Sequence, residues 1–191
     1  MKHSVTSYNT RKLLSKTLKE IVEEKDISKI SISEVAEKAN LNRKTFYYHF
    51  SDIYDLLSWT LEDEMFKLVE SFDMTVDYAK AIKYTLDYVE ENYDFIKSVM
   101  DTYVRHKTRR FLFNGMHKIA LKTINEISSK HKIYLEEEYK SFVAGFLAEA
   151  VIGTIMYWID RPDYNRAKLE KYLVRVFRVT IENLVLDESK H

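Results

Sequence analysis

The chain has 191 residues, with 30 Lys and Arg against 30 Asp and Glu, so its formal net charge is zero. It contains 3 glycines and 1 proline, and 46% of its residues are hydrophobic, a balance that favours long helices over sheets with many turns. It contains no cysteine, which excludes disulfides, thiolate metal sites and enzymes with a cysteine nucleophile. The composition therefore predicts an all-α protein.

Two features of the sequence predict the cellular compartment of the protein. No apolar run approaches the ~18 to 20 residues of a membrane-spanning helix, and the N-terminal stretch MKHSVTSYNTRK lacks the apolar core of a signal peptide. We therefore expect a cytoplasmic protein with no membrane partner. Residues 1–50 carry ten Lys and Arg against six Asp and Glu, a local excess that permits a polyanionic partner without requiring one.

Helix signals begin near the N-terminus. Apolar residues recur at three-to-four-residue spacing over about Tyr8 to Lys25, which predicts a first amphipathic helix. The segment SISE then forms a capping box, in which the Ser31 side chain accepts from the Glu34 N–H and Glu34 reaches back to the Ser31 N–H. A second helix is predicted to follow and to end in a turn over residues 39–42, with Asn40 in the left-handed conformation.

A third helix is predicted over residues 43–49, because Asn42 is a natural N-cap. Phe46 and Phe50 are four residues apart and point inward, so the other side chains face outward. This outward set is basic, aromatic and rich in hydrogen-bonding groups. It consists of Arg43, Lys44, Thr45, Tyr47, Tyr48 and His49.

Two short helices joined by a tight turn and braced by a preceding helix form a helix-turn-helix, whose second helix can lie in the DNA major groove. Arg43 and Lys44 can donate to guanine, and Thr45 offers a hydroxyl and a methyl group to base edges. The tyrosines and the histidine further along can donate to phosphate oxygens. An ordinary solvated surface would explain Arg43 and Lys44 alone, but not their combination with the capping box, the asparagine turn and two adjacent exposed tyrosines.

The stretch TRKLL…ISISEVAEKANLNRKTFYYHFSDIYDLL, residues 10–57, resembles the DNA-binding domain of the tetracycline-repressor (TetR/AcrR) family of bacterial transcription regulators. That family commonly reads T-R-x-x-I/L, then T-x-x-x-I-A-x-x-A-G-V-S-x-x-T-L/F-Y-x-H-F, then K-x-x-L. The match covers roughly the first quarter of the chain, and residues 45–50, TFYYHF, are its most specific part. The resemblance implies that Ser33 and residues 43–45 face bases and that residues 47–49 hold the DNA backbone. The predicted DNA-binding set is Ser33, Asn42, Arg43, Lys44, Thr45, Tyr47, Tyr48 and His49.

Two positions depart from the family pattern. Asn40 stands where the turn usually has glycine, which is physically tolerable. Ile53 stands where the fourth helix frequently begins with lysine, so one phosphate contact is missing. Lys2, Lys12 or the backbone N–H groups at the start of that helix are candidates to replace it. The wording HFSDIYDLL is also similar to dihydroxyacetone-kinase operon activators of this kind, a likeness from which no operon follows.

The remaining chain is predicted to be helical throughout. Apolar spacing predicts a helix from Asp52 to about Phe72 and five further amphipathic helices. Their approximate ranges are Val76–Glu91, Tyr93–Tyr103, Arg109–Ser129, Leu135–Asp160 and Asn165–Leu186. We therefore predict two domains: a helix-turn-helix DNA-binding domain over residues 1–52, and a helical effector-binding and dimerisation domain over residues 53–191.

Family members generally form homodimers through their last two helices, and the resemblance implies the same here. The segment GFLAEAVIGTIMYWI mixes small residues with large apolar ones, which permits close helix approach. The predicted dimer interface is Gly145, Ala148, Ile152, Gly153, Met156, Leu173 and Phe177. The alternative is that both helices complete the core of a single chain. In a dimer, two recognition helices about 34 to 36 Å apart would read a palindrome.

In this family the middle helices often enclose a ligand pocket. The aromatic and methionine residues of that region are candidates to line it, and they suit a packed core equally well. The predicted pocket set is Tyr84, Tyr88, Tyr103, Phe111 and Met116. No charged pair indicates a ligand class, so a small-molecule effector and a protein effector both stay open.

Other classes of function find little support. His106, His117 and His131 match no metal-ligand spacing, and the sequence lacks G-x-S-x-G and any phosphate-cradling loop. We therefore expect a protein that is not an enzyme, with no metal site and no cofactor.

One alternative is a helical interaction module whose helix-turn-helix docks a protein partner without DNA binding. The basic end of the third helix favours DNA. The prediction is a homodimeric, sequence-specific transcription regulator on a palindromic operator. A repressor is expected ahead of an activator, although that choice depends on where the operator lies relative to the promoter.

Overall fold

The computed structural model describes residues 2–101, 105–161, 163 and 165–186, and within these ranges it is helical without strands. The α-helices are α1 (Lys2–Val22), α2 (Ile32–Lys38), α3 (Arg43–His49), α4 (Ile53–Leu61), α5 (Lys67–Ser71), α6 (Tyr78–Glu91), α7 (Tyr93–Asp101), α8 (Arg105–His131), α9 (Glu137–Ile159) and α10 (Arg166–Leu186). A 3₁₀ turn spans Ile27–Lys29, and a π turn spans Glu62–Phe66. The all-α prediction is confirmed.

Helix boundaries differ most from the predicted ones at the start of α1 and between α4 and α5. α1 begins at Lys2, ahead of the predicted start, and the Tyr8 hydroxyl donates to the Asp63 carboxylate at 3.0 Å, a tertiary contact that holds this first part of the helix. The single helix predicted from Asp52 to Phe72 is interrupted by the π turn between α4 and α5. Tyr103, the predicted end of the helix that begins at Tyr93, lies outside the described residues.

One compact unit comprises residues 1–66 and 92–109. Within it, α1 contacts α2, α3, α4 and α7, so the first helix braces the helix-turn-helix as predicted. The core of the unit is formed by apolar side chains that are almost fully buried. They include Leu14, Leu18, Val35, Phe46, Leu56 and Leu61. Burial of this kind contributes about 1.5 to 3 kcal/mol for each large side chain.

Polar contacts join α1 to α4 and the π turn. The buried Thr60 hydroxyl lies 3.0 Å from the Ser15 hydroxyl. Lys12 Nζ lies 3.3 Å from Asp63 and 3.5 Å from Glu64. Burial acts to lower the pKa of Lys12, but the hydrogen bond to Asp63 and the charge of Glu64 outweigh it, so the pKa is raised. The Lys12 ammonium is therefore already neutralised by carboxylates of its own chain.

The second compact unit comprises residues 67–91 and 110–191. α6 and α10 pack together in it, joined by Arg166, whose guanidinium pairs with Asp87 and lies 2.6 Å from Glu170. The pKa of Asp87 is lowered because Lys83 donates a hydrogen bond to it and because Arg166 adds positive charge. The core of this unit is again apolar. It includes Leu86, Leu112, Ile119, Ala144, Ala148 and Ile152.

α9 is the most apolar helix of the second unit. Among the described residues it alone is long and apolar enough to cross a membrane by length and composition, and 33% of its most apolar stretch is buried. The prediction that no such segment exists is wrong here, because Glu149, the one charged residue among residues 141–159, interrupts the run but leaves the segment apolar on average. Core helices of soluble proteins can be equally long and apolar. Much of the apolar surface of α9 is uncovered.

Candidate nucleic-acid interface

The start of α2 is held by its predicted cap. The Ser31 hydroxyl accepts a hydrogen bond from the Glu34 backbone N–H at 3.2 Å, which confirms the first half of the capping box. The Glu34 carboxylate binds Lys25 Nζ at 2.6 Å. The pKa of Glu34 is lowered mainly by this bond, with a smaller contribution from the Ser31 backbone N–H. The start of α2 is thus tied both to its own cap and to the end of the preceding segment.

The turn between α2 and α3 closes on a left-handed residue. Asn40 has φ 54°, its N–H donates to Glu37 O at 2.9 Å, and the next N–H, of Leu41, donates to Ala36 O at 2.8 Å. This pair of bonds is a Schellman motif. The prediction of a left-handed Asn40 is confirmed, and the motif sets the direction in which α3 leaves the turn.

α3 is anchored at its N-terminus by a cap and along its length by phenylalanine. The Asn42 side chain accepts from the Thr45 N–H at 2.8 Å and from the Thr45 hydroxyl at 3.1 Å, as expected for an N-cap. Phe46 is fully buried and Phe50 is 3% exposed, which confirms both inward positions. A seven-residue helix is too short to be stable alone, so these contacts determine which side chains point outward.

The outward surface of α3 carries the predicted side chains. Tyr48 is 71% exposed and Tyr47 is 50% exposed, while Arg43 and Lys44 are also exposed. Ser33 and Asn42 are exposed as well, whereas Thr45 and His49 are partly buried.

Neighbouring side chains on this surface touch one another. Arg43 Nη2 lies 3.5 Å from the Tyr47 hydroxyl, with its Cζ 6.0 Å from the ring. The rings of Tyr48 and His49 meet edge to face at 4.9 Å. The helix thus presents cations at its N-terminal end and aromatic hydrogen-bonding groups beyond them.

The surroundings of His49 disfavour its protonated form. Its pKa is lowered below the ordinary value because the ring is partly buried and because Arg11 adds positive charge nearby. A neutral imidazole keeps one N–H donor. Binding an anion would favour the protonated ring, which donates from both nitrogens.

Two of the three candidates for the missing phosphate contact are engaged elsewhere. Lys12 pairs with Asp63 and Glu64. At the start of α4, Asp52 Oδ1 accepts from the backbone N–H groups of Tyr54 and Asp55, each at 2.8 Å. The side chain of Lys2 lies outside the described part of the chain. Neither Lys12 nor these two N–H groups is free for a phosphate.

Sequence reasoning assigned no role to Arg11, although the Thr-Arg pair belongs to the motif that carried the resemblance. The Arg11 guanidinium lies over the rings of Phe50 and Trp59, 5.7 Å and 6.0 Å from their centroids. This places a cation beside the C-terminal end of α3. No periodicity in the sequence indicates such a contact, because it joins helices far apart in the chain.

A second exposed surface runs along α9. Large aromatic side chains stand at the spacing of one helix face, and the most exposed are Phe142, at 69%, and Phe146, at 65%. This apolar stripe consists of Tyr139, Phe142, Phe146 and Tyr157. On α10, Tyr172, Val176 and Val179 are also exposed.

The predicted dimer residues lie mostly beside this stripe. Ala148 and Ile152 are buried in their own chain, at 2% and 4% exposure, and a Cβ on Gly145 would lie 3.7 Å from the Phe113 ring of α8. Gly153 is open. Met156, Leu173 and Phe177 are partly buried. On α9 the stripe is rotated by about 100°, or one residue, from the predicted positions, because apolar residues surround this helix and composition does not reveal which of them face inward.

The predicted pocket residues lie in different surroundings. Tyr88 is buried, whereas Tyr84, Phe111 and Met116 are partly buried, and Tyr103 lies outside the described residues. A surface hollow of about 490 Å³ in the second unit contains none of them in its lining. That lining consists of Ser71, Phe72, Asp73, Thr75, Lys122, Glu126 and Lys130.

Two family models match this chain. Residues 14–58 match the model for "Bacterial regulatory proteins, tetR family", and residues 77–168 match a TetR model described as "Transcriptional regulator C-terminal region". The chain belongs to the TetR family. The TetR-family protein is therefore a DNA-binding transcription regulator, and the predicted resemblance is confirmed.

Individual relatives agree with this family. The "HTH-type dhaKLM operon transcriptional activator DhaS" of Lactococcus lactis subsp. lactis (strain IL1403) is 24% identical over 182 residues, covering 94% of this chain and 93% of that protein. A solved structure of "Dihydroxyacetone kinase operon activator DhaS" superposes with a TM-score of 0.71 at 23% identity, covering 91% and 96% of the two chains. NalD of Pseudomonas aeruginosa, described as "the secondary repressor of MexAB-OprM multidrug efflux pump", gives a TM-score of 0.61 at 15% identity, covering 90% and 95%. At these identities the structures establish a shared fold.

Proposed function

We propose that this TetR-family regulator acts in the cytoplasm as a homodimer that reads a palindromic operator in double-stranded DNA through α3. The observation that carries the proposal is the exposed, capped and cation-bearing surface of α3. The base-reading residues are Ser33, Arg43, Lys44 and Thr45. Tyr47, Tyr48 and His49 hold the phosphate backbone, and Asn42 caps the helix at the groove.

The pattern of ion pairing supports a polyanionic partner. In and around α2, Lys25 pairs with Glu34 and Lys38 with Glu24. By contrast, the structure gives Arg43 and Lys44 no carboxylate within ion-pair distance among its described residues. Both cations stand at the N-terminal end of α3, the end of a recognition helix that meets base edges. They are therefore available to guanine acceptors.

The apolar stripe on α9 supports self-association. Monomeric proteins rarely leave a row of large aromatic side chains uncovered, and such patches mark interaction sites. A twofold axis beside the stripe would cover it with the same stripe of a second copy. We propose that residues 1–52 bind DNA and residues 53–191 provide dimerisation and effector binding. The proposed interface combines the stripe with Gly153, Met156, Leu173 and Phe177.

Control by an effector is a further part of the proposal. We propose that a small molecule or a protein acts on residues 53–191, with Tyr84, Tyr88, Phe111 and Met116 as first candidates for contact. For the direction of regulation we retain repression, which requires an operator that overlaps the promoter. The name of NalD agrees with repression and that of DhaS with activation. A footprint relative to the transcription start distinguishes the two.

The proposal is tested by fluorescence anisotropy of the purified protein on duplex DNA from upstream of its own gene, against a scrambled duplex, across a salt series. We expect tighter binding to the upstream DNA, two chains per duplex and a steep loss of affinity with salt. Absence of binding to every genomic fragment would favour the alternative in which the helix-turn-helix docks a protein.

A further inference from the structure

Arg11 lies where α1 meets the end of α3 and the middle of α4. Its guanidinium carbon is 5.7 Å from the ring centroid of Phe50 and 6.0 Å from that of Trp59. These two rings lie 5.8 Å apart, and Tyr8 packs edge to face on Trp59 at 6.0 Å. Cation–π contact of this kind orients a guanidinium without neutralising its charge.

The charge of Arg11 is not compensated by the chain itself. Its Nε is buried without a hydrogen-bond partner, and none of the described carboxylates lies within ion-pair distance of it. The other cations on the same stretch of α1 differ. Lys12 and Lys19 bind Glu64, and Lys16 lies 3.8 Å from Glu20. A partly buried, unpaired guanidinium is costly unless an anion completes its surroundings.

The position of Arg11 indicates which anion would bind it. His49 belongs to the same group of rings, with its centroid 6.4 Å from that of Phe50. Arg11 is close enough to His49 to act on its titration. At the adjacent start of α4, the backbone N–H groups of Tyr54 and Asp55 cannot bind an anion in place of Arg11, because both donate to Asp52. Arg11 is therefore an unpaired cation beside the C-terminal end of α3. That end of the helix is the part proposed to hold the DNA backbone.

We propose that Arg11 binds a phosphate of the DNA backbone beside the one held by His49, with Phe50 and Trp59 orienting its guanidinium for that contact. This inference rests on the proposed function, since it names a further contact of the same surface. Guanidinium suits the role because its planar donors match two phosphate oxygens at once. A backbone contact carries no direct sequence information, so Arg11 contributes to affinity for every duplex.

The test compares the wild type with Arg11→Met, which removes the charge while keeping a long side chain against the rings. The matched control is Lys16→Met, an exposed cation five positions along α1. We expect Arg11→Met to weaken operator and scrambled DNA alike by about tenfold. The slope of log K against log salt should become shallower by about 0.9 for each bound chain. Lys16→Met should leave both quantities unchanged.

A second measurement locates the phosphate. In operator duplexes with single neutral methylphosphonate replacements, one position in each half-site should weaken the wild type by about threefold, because it removes one of the dimer's two contacts, and should leave Arg11→Met unaffected. Circular dichroism establishes that each variant is folded, and Arg11→Gln takes the place of Arg11→Met if the latter is not.

An unchanged salt slope, or the same methylphosphonate sensitivities in wild type and variant, would overturn the inference and make Arg11 a packing residue. Failure of the wild type to bind DNA would instead contradict the proposed function. The two failures are therefore distinguishable.

Discussion

The outer surfaces of α3 and α9 both expose several large side chains, but the chemistry of the two surfaces is opposite. α3 presents Arg43 and Lys44 with tyrosine hydroxyls beside them. The apolar stripe of α9 presents the aromatic rings of Phe142 and Phe146. Exposure alone therefore does not identify a partner. An unpaired cation suits an anion, whereas an uncovered aromatic ring suits another apolar surface.

The two helices also differ in what holds them. α3 depends on a side-chain cap at Asn42 and on buried Phe46, as a seven-residue helix must. α9 has 23 residues, and its N-cap, Glu136, makes no side-chain hydrogen bond. α9 can therefore tolerate changes to its outer surface that leave its fold intact, whereas changes to α3 must avoid its cap and its phenylalanines.

The largest effect is expected from a substitution that disrupts the proposed interface on α9 and leaves α3 unchanged. Phe142→Asp places a carboxylate in the proposed apolar interface, so the dissociation constant of the dimer should rise by roughly a hundredfold or more, about 3 kcal/mol. Sedimentation equilibrium measures this change. Ser141→Asp, at an exposed residue about 100° around α9 from Phe142, is the control and should remain dimeric. A Phe142→Asp variant that is still a dimer would mean that the interface lies elsewhere.

The next effect concerns base reading by α3. Arg43→Ala should cost about 1 to 3 kcal/mol of operator binding and relax the base preference at one position, because its donors face the groove. Anisotropy titrations on operator variants measure this loss, with Lys16→Ala as the control. Equal affinity of Arg43→Ala and wild type for the operator would show that the register of α3 in the groove differs from the proposed one.

A smaller effect distinguishes backbone holding from base reading. Tyr47→Phe removes only a hydroxyl, so it should weaken operator and scrambled DNA equally, by about 1 kcal/mol. Tyr134→Phe, at an exposed tyrosine outside both surfaces, removes the same group and should change neither affinity. A loss confined to the operator would assign Tyr47 to base reading.

The smallest effect compares two turns that close on left-handed residues. Lys132 after α8 has φ 56°, close to the value at Asn40, and Ile133 N–H donates to Ser128 O at 2.9 Å in the same Schellman pattern. Lysine tolerates this conformation less well than asparagine. Lys132→Gly should therefore stabilise the protein by about 0.5 to 1 kcal/mol, and Asn40→Gly by less. Urea unfolding at fixed protein concentration measures both, and a larger gain at Asn40 would contradict the argument.

Much of the first unit could be predicted because its determinants are local. Ser31, Asn40 and Asn42 each act on backbone groups within three to five residues, and the inward positions of Phe46 and Phe50 follow from helical spacing. Arg11 could not be found in this way. Its contacts with Phe50 and Trp59 span about 40 to 50 positions of sequence, and no periodic pattern encodes them.

The sequence by itself determined the helical class, the helix-turn-helix with its caps and turn, and the chemistry of the outward surface of α3. Those features depend on interactions within one or two helical turns. Tertiary structure decided which surface of α9 is uncovered, since Ala148 and Ile152 face inward while Phe142 and Phe146 do not. It also decided that Lys12 is neutralised and that Arg11 is not. Both outcomes depend on which side chains from distant parts of the sequence come into contact, and the packing of the helices determines those contacts.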